Sequence, residues 1–565
     1  MVKLSSAIGQ YRQANASGDR QAVSSGEYQD NGIYTVSAPS LQPLASAAEF
    51  NSTFDWNSTS GLPTHITDLI GTDVRGKPVL PHGANVDGTV AWQIDAGVQQ
   101  DTSDGIITYG FANSQHALGL NNNPSFGEGG GYAPFSNAQK DAARIAIANW
   151  DELIAARFVE VPQGPGASSY GRQTTDIMLA NTVTGPAQAW AYYPGYGNQY
   201  TRIAGDVWIA DPRANASNGQ LEPGQYGLQT LNHELGHALG LSHPGAYNFG
   251  DDQDGDGVAD PITYDGDAFY FQDSNQFTIM SYFDSYETGA QNIDWNVMRF
   301  IYPSTPMVDD VRVIQAKYGA DMTTRVGDTV YGFNSTADVT NEAMKFRPGE
   351  MATIFTIWDA GGNDTIDLSG YATDSVIDLR EGAYSSAGGW GAYDASLIGQ
   401  APTLTQINAN NAAAHLGNRT AALFDIYFTG VAGTNEGVSW KAITGTGDKL
   451  LMEQNIGIAY GAIIENAVGG SGNDRINGNQ VNNNLTGGAG ADTFIFVKDG
   501  STDTITDFGN GADRIDLTEL HITSAAVAFN AETNVLSIDT DDDGSFDMTI
   551  IVNGSDLNIA TDLLF

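Results

Sequence analysis

The segment HELGHALGLSH, residues 233–243, holds three histidines, a glutamate and two glycines at fixed offsets. The chain has only eight histidines in 565 residues, and three of them fall within these eleven positions. On a helix, His233 and His237 lie one turn apart on the same face, about 6 Å along the axis, so both imidazoles can reach one ion. Gly240 tolerates a positive φ, which lets the helix end and the chain return His243 as a third ligand.

Three neutral nitrogens leave a fourth coordination position for water, which is typical of catalytic rather than structural zinc. Glu234 neighbours the first ligand and can face this open position, where a carboxylate is needed to take a proton from the water. Two other interpretations stay open: an amphipathic helix with incidental histidines, and a structural or non-catalytic metal site in which Glu234 has no role. The spacing favours a catalytic zinc site.

Charge and composition limit the partners of the chain. It has 24 basic and 67 acidic residues, and the resulting net charge of −43 repels nucleic acid and anionic membranes. There is no cysteine, so any zinc must be held by nitrogen and oxygen. No segment approaches 18 apolar residues and the first residues lack a secretory h-region, so we expect no N-terminal export signal and no membrane insertion.

The aspartates are concentrated in loops together with glycine and asparagine, a composition that suits the oxygen ligands of calcium. A solvated or salt-adapted surface is the alternative explanation of the acidic excess. The loops are DDQDGDG (251–257), DAGGND (359–364), GGSGND (469–474) and DTDDDG (539–544).

The first 320 residues predict a leader and a mixed domain. Residues 1–50 are polar and lack clear periodicity, so we interpret them as a leader or loosely ordered segment. Residues 51–320 combine short strands with two long helices, one opening with the capping-box pair Ser136 and Gln139 and the other carrying the histidines. We therefore expect an α/β or α+β domain with a mixed, twisted sheet. Its predicted strands are 89–94, 106–111, 157–161, 176–180, 187–193 and 206–210.

Beyond residue 320 the chain changes to short β-like runs, and a repeat appears. Three contiguous nonapeptides share one frame: GGSGNDRIN (469–477), GNQVNNNLT (478–486) and GGAGADTFI (487–495). Their glycines allow tight turns, their aspartates bind calcium and their apolar residues point into a parallel β-roll. A Gly/Asn-rich linker is the alternative. We expect residues 321–565 to form an all-β domain, a parallel β-roll with a β-sandwich-like part.

Two nonapeptides make one turn of such a roll, so the first and third should stack with Asp474 and Asp492 on one side sharing calcium. The middle unit has Asn483 at the aspartate position, so the opposite side should bind calcium weakly or not at all. The predicted calcium ligands of the repeat are Gly469, Gly470, Gly472, Asp474, Gly487, Gly488, Gly490 and Asp492.

These motifs together resemble the metzincin metalloproteases, and among them the serralysins. HELGHALGLSH matches the extended H-E-x-x-H-x-x-G-x-x-H signature, and FTIMSYF (277–283) resembles the Met-turn, with Met280 beneath the metal. Tyr282 follows that methionine by two residues, and a tyrosine at this position resembles the Met-turn of the serralysin subgroup. Three downstream segments also resemble the serralysin C-terminal domain: RVGDTVYGF (325–333), TIWDAGGNDTIDLSGY (356–371) and TDFGNGADRIDL (506–517).

The resemblance implies a zinc endopeptidase of broad specificity that hydrolyses internal peptide bonds. By it, His233, His237 and His243 bind one zinc ion, and Glu234 is the general base and then the proton donor. Tyr282 is implied to be an additional zinc ligand in the absence of substrate and to assist the transition state.

Calcium and substrate sites also follow from the resemblance. Several structural calcium ions are implied, one of them bound by Arg325, Gly327, Thr329, Asp359, Gly361 and Asp364. The strand AQAWAYY (187–193) resembles the family's edge strand above the cleft, where an extended substrate pairs by backbone hydrogen bonds. A buried edge with ordinary core aromatics is the competing interpretation of that strand. The predicted substrate contacts are Gln188, Ala189, Trp190, Ala191 and Tyr192.

The resemblance further implies partners and a location. These are peptide or protein substrates, a proteinaceous inhibitor, and a type I transporter that exports the chain from a Gram-negative bacterium by reading its C-terminal residues. Asp562, Leu563, Leu564 and Phe565 fit such a signal, although a terminal strand would look the same. External calcium would fold the roll after export. Residues 1–50 are then a propeptide of a zymogen, and a monomer is the expected state.

Two insertions depart from the family pattern. In DDQDGDGVADP (251–261), Asp252, Asp254 and Asp256 follow the first half of an EF-hand loop without its final glutamate, which predicts either a calcium-stiffened loop or a solvated acidic loop. Residues 391–452 interrupt the C-terminal domain without a functional explanation. Two alternative functions remain: a calcium-dependent surface or adhesion protein with an inactive protease-like domain, and a metal-dependent hydrolase of non-peptide substrates.

Overall fold

The computed structural model describes two compact units. Of the described residues, the first unit comprises those from 71 to 289 together with Tyr302–Met322, and the second comprises Ala290–Ile301 and those from 323 to 565. The predictions for the leader, for a strand at 89–94 and for Asp252, Asp254 and Asp256 lie outside the described residues. Those described are 71–72, 78–79, 99–113, 128–163, 175–194, 204–245, 247, 260–268, 270–337, 342–428, 450–541, 543–554 and 557–565.

A mixed sheet forms one layer of the first unit. Its path runs β5–β3–β6–β8–β7, and β4 pairs with β6. Strands β5, β3, β6 and β8 are parallel, whereas β7 is antiparallel to β8 and forms an end of the path. The strands of this unit are β1 Gly71–Thr72, β2 Pro78–Val79, β3 Ile106–Phe111, β4 Tyr132–Ala133, β5 Arg157–Glu160, β6 Ile177–Thr182, β7 Ala189–Ala191 and β8 Asp206–Ala210.

Two long helices pack together in the same unit. Helix α1, Asn137–Asp151, begins with the predicted capping box, in which Ser136 and Gln139 exchange side-chain and backbone hydrogen bonds. Helix α2, Tyr226–Ala238, carries His233 and His237. Its Asn232 carbonyl accepts a hydrogen bond from the fully buried Trp150 indole at 3.1 Å. The shorter helices are α3 Tyr264–Asp267 and α4 Val308–Tyr318, the latter ending at Gly319.

The second unit is rich in β-structure. From β17 to β22, consecutive short strands alternate between two largely parallel sheets, one with the path β11–β13–β17–β19–β21–β25–β24–β23 and one with the path β14–β18–β20–β22–β26. Its strands are β9 Ile293–Asp294, β10 Arg299–Phe300, β11 Val330–Gly332, β12 Phe355–Ile357, β13 Thr365–Asp367, β14 Val376–Asp378, β15 Tyr384–Ser385, β16 Ile456–Ile458, β17 Asn466–Val468, β18 Arg475–Asn477, β19 Asn484–Thr486, β20 Thr493–Ile495, β21 Thr502–Phe508, β22 Arg514–Asp516, β23 Val527–Asn530, β24 Val535–Ile538, β25 Met548–Gly554 and β26 Leu563–Leu564.

The nonapeptides supply three of these strands. Strand β18 of the first nonapeptide pairs in parallel with β20 of the third, placing Ile476 opposite Phe494, while β19 of the middle one lies in the other sheet. Ile476, Leu485 and Phe494 are fully buried. The first and third nonapeptides therefore lie side by side, as their register predicts.

The stretch 391–452 contains two helices, α5 Leu404–Ala413 and α6 Ala421–Phe428. They contact the segment after β9: the Asn411 amide donates to the Val297 carbonyl at 2.9 Å, and the Arg419 guanidinium donates to the Met298 carbonyl at 3.0 Å. A last short helix, α7 Ile559–Asp562, precedes β26. Among the described helices, none is both long and apolar enough to cross a bilayer.

Candidate active site

The third histidine returns to the helix through a glycine turn. After α2, the Gly240 N–H donates to the His237 carbonyl at 2.8 Å and the Leu241 N–H donates to the Gly236 carbonyl at 2.9 Å, with Gly240 at φ +91°. This pair of backbone hydrogen bonds is a Schellman motif, which requires the left-handed backbone that glycine adopts without strain. The turn brings His243 back beside His233 and His237, whose ring centroids lie 5.3 and 4.7 Å from its own.

Each histidine is oriented by a backbone carbonyl. The Nδ1 atoms of His233, His237 and His243 lie 2.7, 2.7 and 3.1 Å from the carbonyl oxygens of Ile279, Leu241 and Tyr247. A carbonyl oxygen only accepts hydrogen bonds, so each Nδ1 carries the proton and each Nε2 presents a lone pair. Bonds of this kind set the tautomer of metal-binding histidines.

The three Nε2 atoms converge on one point. Nε2 of His243 lies 3.1 Å from that of His237 and 3.3 Å from that of His233. Burial lowers the pKa of His233 to about 4 and lowers that of His237 well below its ordinary value, so these rings are neutral at neutral pH. Three facing lone pairs repel one another without a cation between them, so this donor set fits a zinc ion with nitrogen ligands.

Glu234 is almost fully buried beside these histidines, with 6% of its surface exposed. Its Oε2 atom has no hydrogen-bond partner among the described residues, and burial raises the pKa of the carboxyl to about 8. A buried carboxylate without a partner is costly, so this oxygen favours a proton or a nearby positive charge. The carboxyl can therefore exchange a proton close to neutral pH.

The segment FTIMSYF passes beneath α2. Met280 is fully buried, and a Cβ atom on Gly236 would lie 2.5 Å from its Sδ. Two donors of this segment bind the buried Asp310 of α4: the Thr278 hydroxyl at 2.6 Å and the Ile279 N–H at 2.7 Å. Asp310 thus fixes the residue whose carbonyl orients His233.

Tyr282 lies beside the histidines. Its ring centroid is 4.4 Å from that of His243 and 6.1 Å from that of His233, nearly parallel to the latter. The ring is half-buried, and it also packs against Tyr247, with centroids 5.3 Å apart. A tyrosine in this position is within one side-chain rotation of the histidine cluster.

The side chains of the predicted substrate strand are partly buried in the first unit. Ala189, Ala191 and Tyr192 are buried, and Trp190 packs against a core cluster that contains Tyr192. The Gln188 amide donates to the Thr230 hydroxyl of α2 at 2.9 Å. Strand β7 stands at the end of the path of the described sheet.

The predicted calcium residues near β11 come together around buried carboxylates. Asp364 accepts the Thr329 N–H at 2.7 Å, and Asp359 accepts the Gly361 N–H at 2.9 Å and the Tyr331 hydroxyl at 2.6 Å. Burial, followed by the charges of Asp359 and Glu465, raises the pKa of Asp364 to about 7. Arg325 adopts a left-handed φ of +50°, and the Gly327 carbonyl accepts the Thr329 hydroxyl at 2.9 Å.

In the nonapeptides, the carboxylates form a column. Asp474 accepts the Gly470 N–H at 2.7 Å, and Asp492 accepts the Asp474 N–H at 2.8 Å. Burial raises the pKa of Asp474 to about 6 and that of Asp492 to about 7. Asp492 Oδ2 has no hydrogen-bond partner among the described residues. The predicted glycines of the two turns lie alongside: Gly469, Gly470, Gly472, Gly487, Gly488 and Gly490.

Four residues that support the site were not predicted: Tyr247, Asp273, Asn275 and Asp310. Asn275 donates from its amide to the Ser281 carbonyl at 2.7 Å and accepts the Gln229 amide of α2 at 3.1 Å. All four lie outside the zinc motif, and a lone buried polar residue carries no periodic signal. Aspartate at the third position of α4 is the only one with a local signal, that of a helix N-terminus.

Comparison with known proteins agrees with this geometry. A sequence model of the C-terminal domain of M10 serralysin peptidases matches residues 320–402 and 443–564, and leaves unmatched most of the stretch containing α5 and α6. The chain is 33% identical over 430 residues to serralysin C of Dickeya chrysanthemi, covering 74% of this chain and 69% of the relative. It is 34% identical to a serralysin of Proteus mirabilis, covering 62% and 56%, and 30% identical to the metallopeptidase AprA of Pseudomonas marginalis, covering 79% and 84%.

A mixed α/β unit with a converging histidine triad and these relatives define a zinc metalloendopeptidase. The chain belongs to the serralysin family. Serralysins are secreted, extracellular proteases.

Proposed function

We propose that this serralysin hydrolyses internal peptide bonds with His233, His237 and His243 as zinc ligands and Glu234 as the general base. The observation that carries the proposal is the convergence of three histidine Nε2 atoms, with that of His243 3.1 Å from His237 and 3.3 Å from His233. A buried carboxyl, that of Glu234, neighbours them, and its Oε2 has no partner among the described residues. Zinc, when bound there, supplies Lewis-acid activation of the attacking water and of the scissile carbonyl.

The chain's own groups move the protons. Glu234 Oε2 accepts a proton from the attacking water and later donates it to the leaving amine. Its Oε2 atom has no hydrogen-bond partner among the described residues, so it is available to take up the proton and to release it. Tyr282, whose ring lies against His243, rotates its hydroxyl toward or away from the reaction centre and stabilises the charge that develops in the transition state.

The substrate pairs as an extended strand with the outer edge of β7. The position of β7 at the end of the described sheet supports this, and backbone pairing reads little sequence, so specificity is broad. Ala189, Trp190 and Ala191 supply this edge. Gln188 and Tyr192 position it, because the Gln188 side chain is bound to Thr230 and Tyr192 is buried.

Calcium stabilises the second unit in this proposal. The columns of buried carboxylates, whose pKa values are raised by burial, support cation sites at Asp359 and Asp364 and at Asp474 and Asp492. The unit therefore forms a calcium-dependent β-roll outside the cell. Export through a type I transporter, a protein inhibitor and the propeptide remain predictions.

The test is casein hydrolysis by the calcium-loaded and zinc-loaded chain, with phenanthroline as the zinc chelator and Glu234→Ala as the variant. We expect chelation to abolish activity and zinc to restore it, and we expect Glu234→Ala to lower kcat by at least 10³-fold while zinc binding persists. Glu222→Gln, an exposed carboxylate near the start of α2, is the matched control and should keep full activity.

Two results would contradict the proposal. Wild-type chain that binds zinc stoichiometrically but does not cleave casein, even after removal of an N-terminal segment, would favour the alternative of a calcium-dependent surface protein. Activity that persists in Glu234→Ala would show that another group moves the proton.

A further inference from the structure

A fully buried aspartate joins the turn after the third histidine to the segment that carries Tyr282. One oxygen of Asp273, Oδ1, accepts the Tyr247 hydroxyl at 2.7 Å and the Ser281 hydroxyl at 2.7 Å. Asp273 and Tyr247 are 0% and 1% exposed. Two charge-assisted bonds to one buried carboxylate oxygen are stronger than neutral bonds, and losing either donor leaves the charge less compensated.

Tyr247 contacts the metal site in two ways. Its backbone carbonyl accepts the proton of His243 Nδ1, and its ring stacks on the His243 ring with centroids 5.7 Å apart and an angle of 11°. Gly245 makes room for this ring, since a Cβ at that residue would lie 2.4 Å from a ring carbon of Tyr247. The position of Tyr247 thus sets the position of His243.

The backbone on both sides of Tyr282 is fixed. The Ser281 hydroxyl that donates to Asp273 also accepts the Phe283 N–H at 3.0 Å. The Ser281 carbonyl accepts the Asn275 amide at 2.7 Å, and the Phe283 carbonyl accepts the Asn275 N–H at 2.8 Å. Any movement of Tyr282 is therefore a rotation of its side chain, and the Tyr247 ring, 5.3 Å away, forms one wall of the space in which it rotates.

We propose that Asp273 and Tyr247 are positioning residues of the peptidase reaction, which hold His243 and Tyr282 at a fixed distance from each other. Asp273 binds the hydroxyl of the residue that orients His243 and the hydroxyl of the residue that precedes Tyr282. It thereby ties the third zinc ligand and the transition-state tyrosine to one buried oxygen. This inference rests on the proposed roles of His243 and Tyr282.

The test compares Tyr247→Phe and Ser281→Ala with Tyr264→Phe. The first two each remove one donor to Asp273 and leave the Tyr247 ring in place. Tyr264→Phe is the matched control, because its buried hydroxyl donates to the Phe271 carbonyl at 2.8 Å in the same aromatic cluster, away from Asp273. Calorimetry of each variant measures stability separately from activity.

Three readouts distinguish positioning from simple loosening of the fold. The first is kcat against KM for peptide cleavage, and the second is zinc affinity from competition with a chelator. The third is the tyrosinate-to-copper(II) charge-transfer absorption of the copper-substituted chain, which reports whether the Tyr282 oxygen reaches the metal, with Tyr282→Phe as the blank. The copper band does not depend on catalysis.

We expect Tyr247→Phe to lower kcat about tenfold with KM within twofold, to weaken zinc binding about tenfold, and to reduce the copper band by at least half. Ser281→Ala should reduce kcat and the band in the same way, and Tyr264→Phe should leave all three readouts within twofold of wild type. An unchanged band and unchanged zinc affinity in Tyr247→Phe would overturn the inference, as would equal losses in Tyr264→Phe. A wild-type chain that shows the band but cleaves no peptide would contradict the proposed function alone.

Discussion

Gly236 and Met280 lie so close that helix α2 rests directly on the methionine. A Cβ atom on Gly236 would lie 2.5 Å from Met280 Sδ and 3.3 Å from a ring carbon of Trp150. Met280 is fully buried, and protein interiors are close-packed. Since the same helix carries His233 and His237, the absence of a side chain at Gly236 helps to set the position of two histidines of the proposed zinc site.

Gly236→Ala should therefore displace either α2 or Met280. Overpacking of a well-filled core typically costs about 1–3 kcal/mol, and we expect a loss of this size in the free energy of unfolding. Zinc affinity should fall as well, because the two helix-borne imidazoles move relative to His243. Calorimetry and chelator competition measure the two effects.

A compensating variant makes this test specific. Met280→Ala vacates the space that a methyl group on Gly236 would enter, so the double variant should be more stable than the sum of the single changes predicts. Strict additivity of the two changes would show that Gly236 and Met280 are not in contact in solution.

The buried Asp310 gives a second prediction. Its carboxylate accepts bonds from the Thr278 hydroxyl and from the Ile279 and Met307 N–H groups, and the Ile279 carbonyl in turn orients His233. Asp310→Ala should weaken zinc binding by about 10–100-fold, the usual range for loss of a group that orients a ligand. Competition with a chelator measures this affinity, and Glu222→Gln is the exposed control. Zinc affinity within twofold of wild type in a folded Asp310→Ala chain would contradict the role.

The sequence predicts the parts of this site whose residues are close together in the chain, and it does not predict those that depend on contacts between distant residues. The helix of His233 and His237 and the return of His243 follow from spacing within eleven residues. Asp273, Asp310 and Tyr247 act through contacts between residues 8–31 positions apart in the sequence, which exist only once the loops are folded. Neither helical nor strand periodicity marks a lone buried polar residue, so periodicity does not predict these supports, and of the three only Asp310 has a local signal, that of a helix N-terminus.

The same contrast holds for the fold. The nonapeptide frame predicts which strands are neighbours, because the period sets the register of β18 and β20. The helices within 391–452 were not predicted, although the pair Thr403 and Gln406 forms a capping box at the start of α5. Helix α5 carries only two buried residues, so its amphipathic pattern is weak and the capping pair was its only clear signal.

The nonapeptides give a third prediction, because Asp474 and Asp492 lie on one side of their stack and Asn483 lies on the other. Asp492 has an oxygen without a partner among the described residues, whereas the Asn483 amide donates to the Glu465 carbonyl at 3.2 Å and to Asn479 Oδ1 at 2.9 Å. An amide that already satisfies these oxygens takes the place of a cation.

We therefore expect Asp492→Asn to lower the number of calcium ions bound by one, measured by equilibrium dialysis. Asn483→Ala should leave that number unchanged and cost about 1–3 kcal/mol of stability, because it orphans buried acceptors. Loss of a calcium ion in Asn483→Ala would show that the middle nonapeptide also binds calcium.

Asp503 lies on the amide side of the stack and gives a pH-dependent prediction. It is 1% exposed and accepts the Asn483 N–H at 2.9 Å and the Ser501 hydroxyl at 2.9 Å. Burial raises the pKa of this carboxyl from 3.8 to about 7. Because the folded-state pKa is the higher one, the stabilising contribution of the carboxyl is fully present below about pH 4 and is lost as the pH rises through about 7.

Asp503→Asn keeps an oxygen for the Asn483 N–H, and the Ser501 hydroxyl can accept from the new amide, so the variant removes a buried charge without orphaning its neighbours. The variant should match wild type near pH 4.5 and exceed it at pH 8 by ~1–3 kcal/mol, since one unit of pKa shift corresponds to about 1.4 kcal/mol. Urea unfolding in saturating calcium, with the exposed Glu532→Gln as control, measures the difference at both pH values. A variant less stable than wild type at pH 8 would mean that the Asp503 carboxylate is stabilised by a bound cation, and would move a calcium site to this side of the stack.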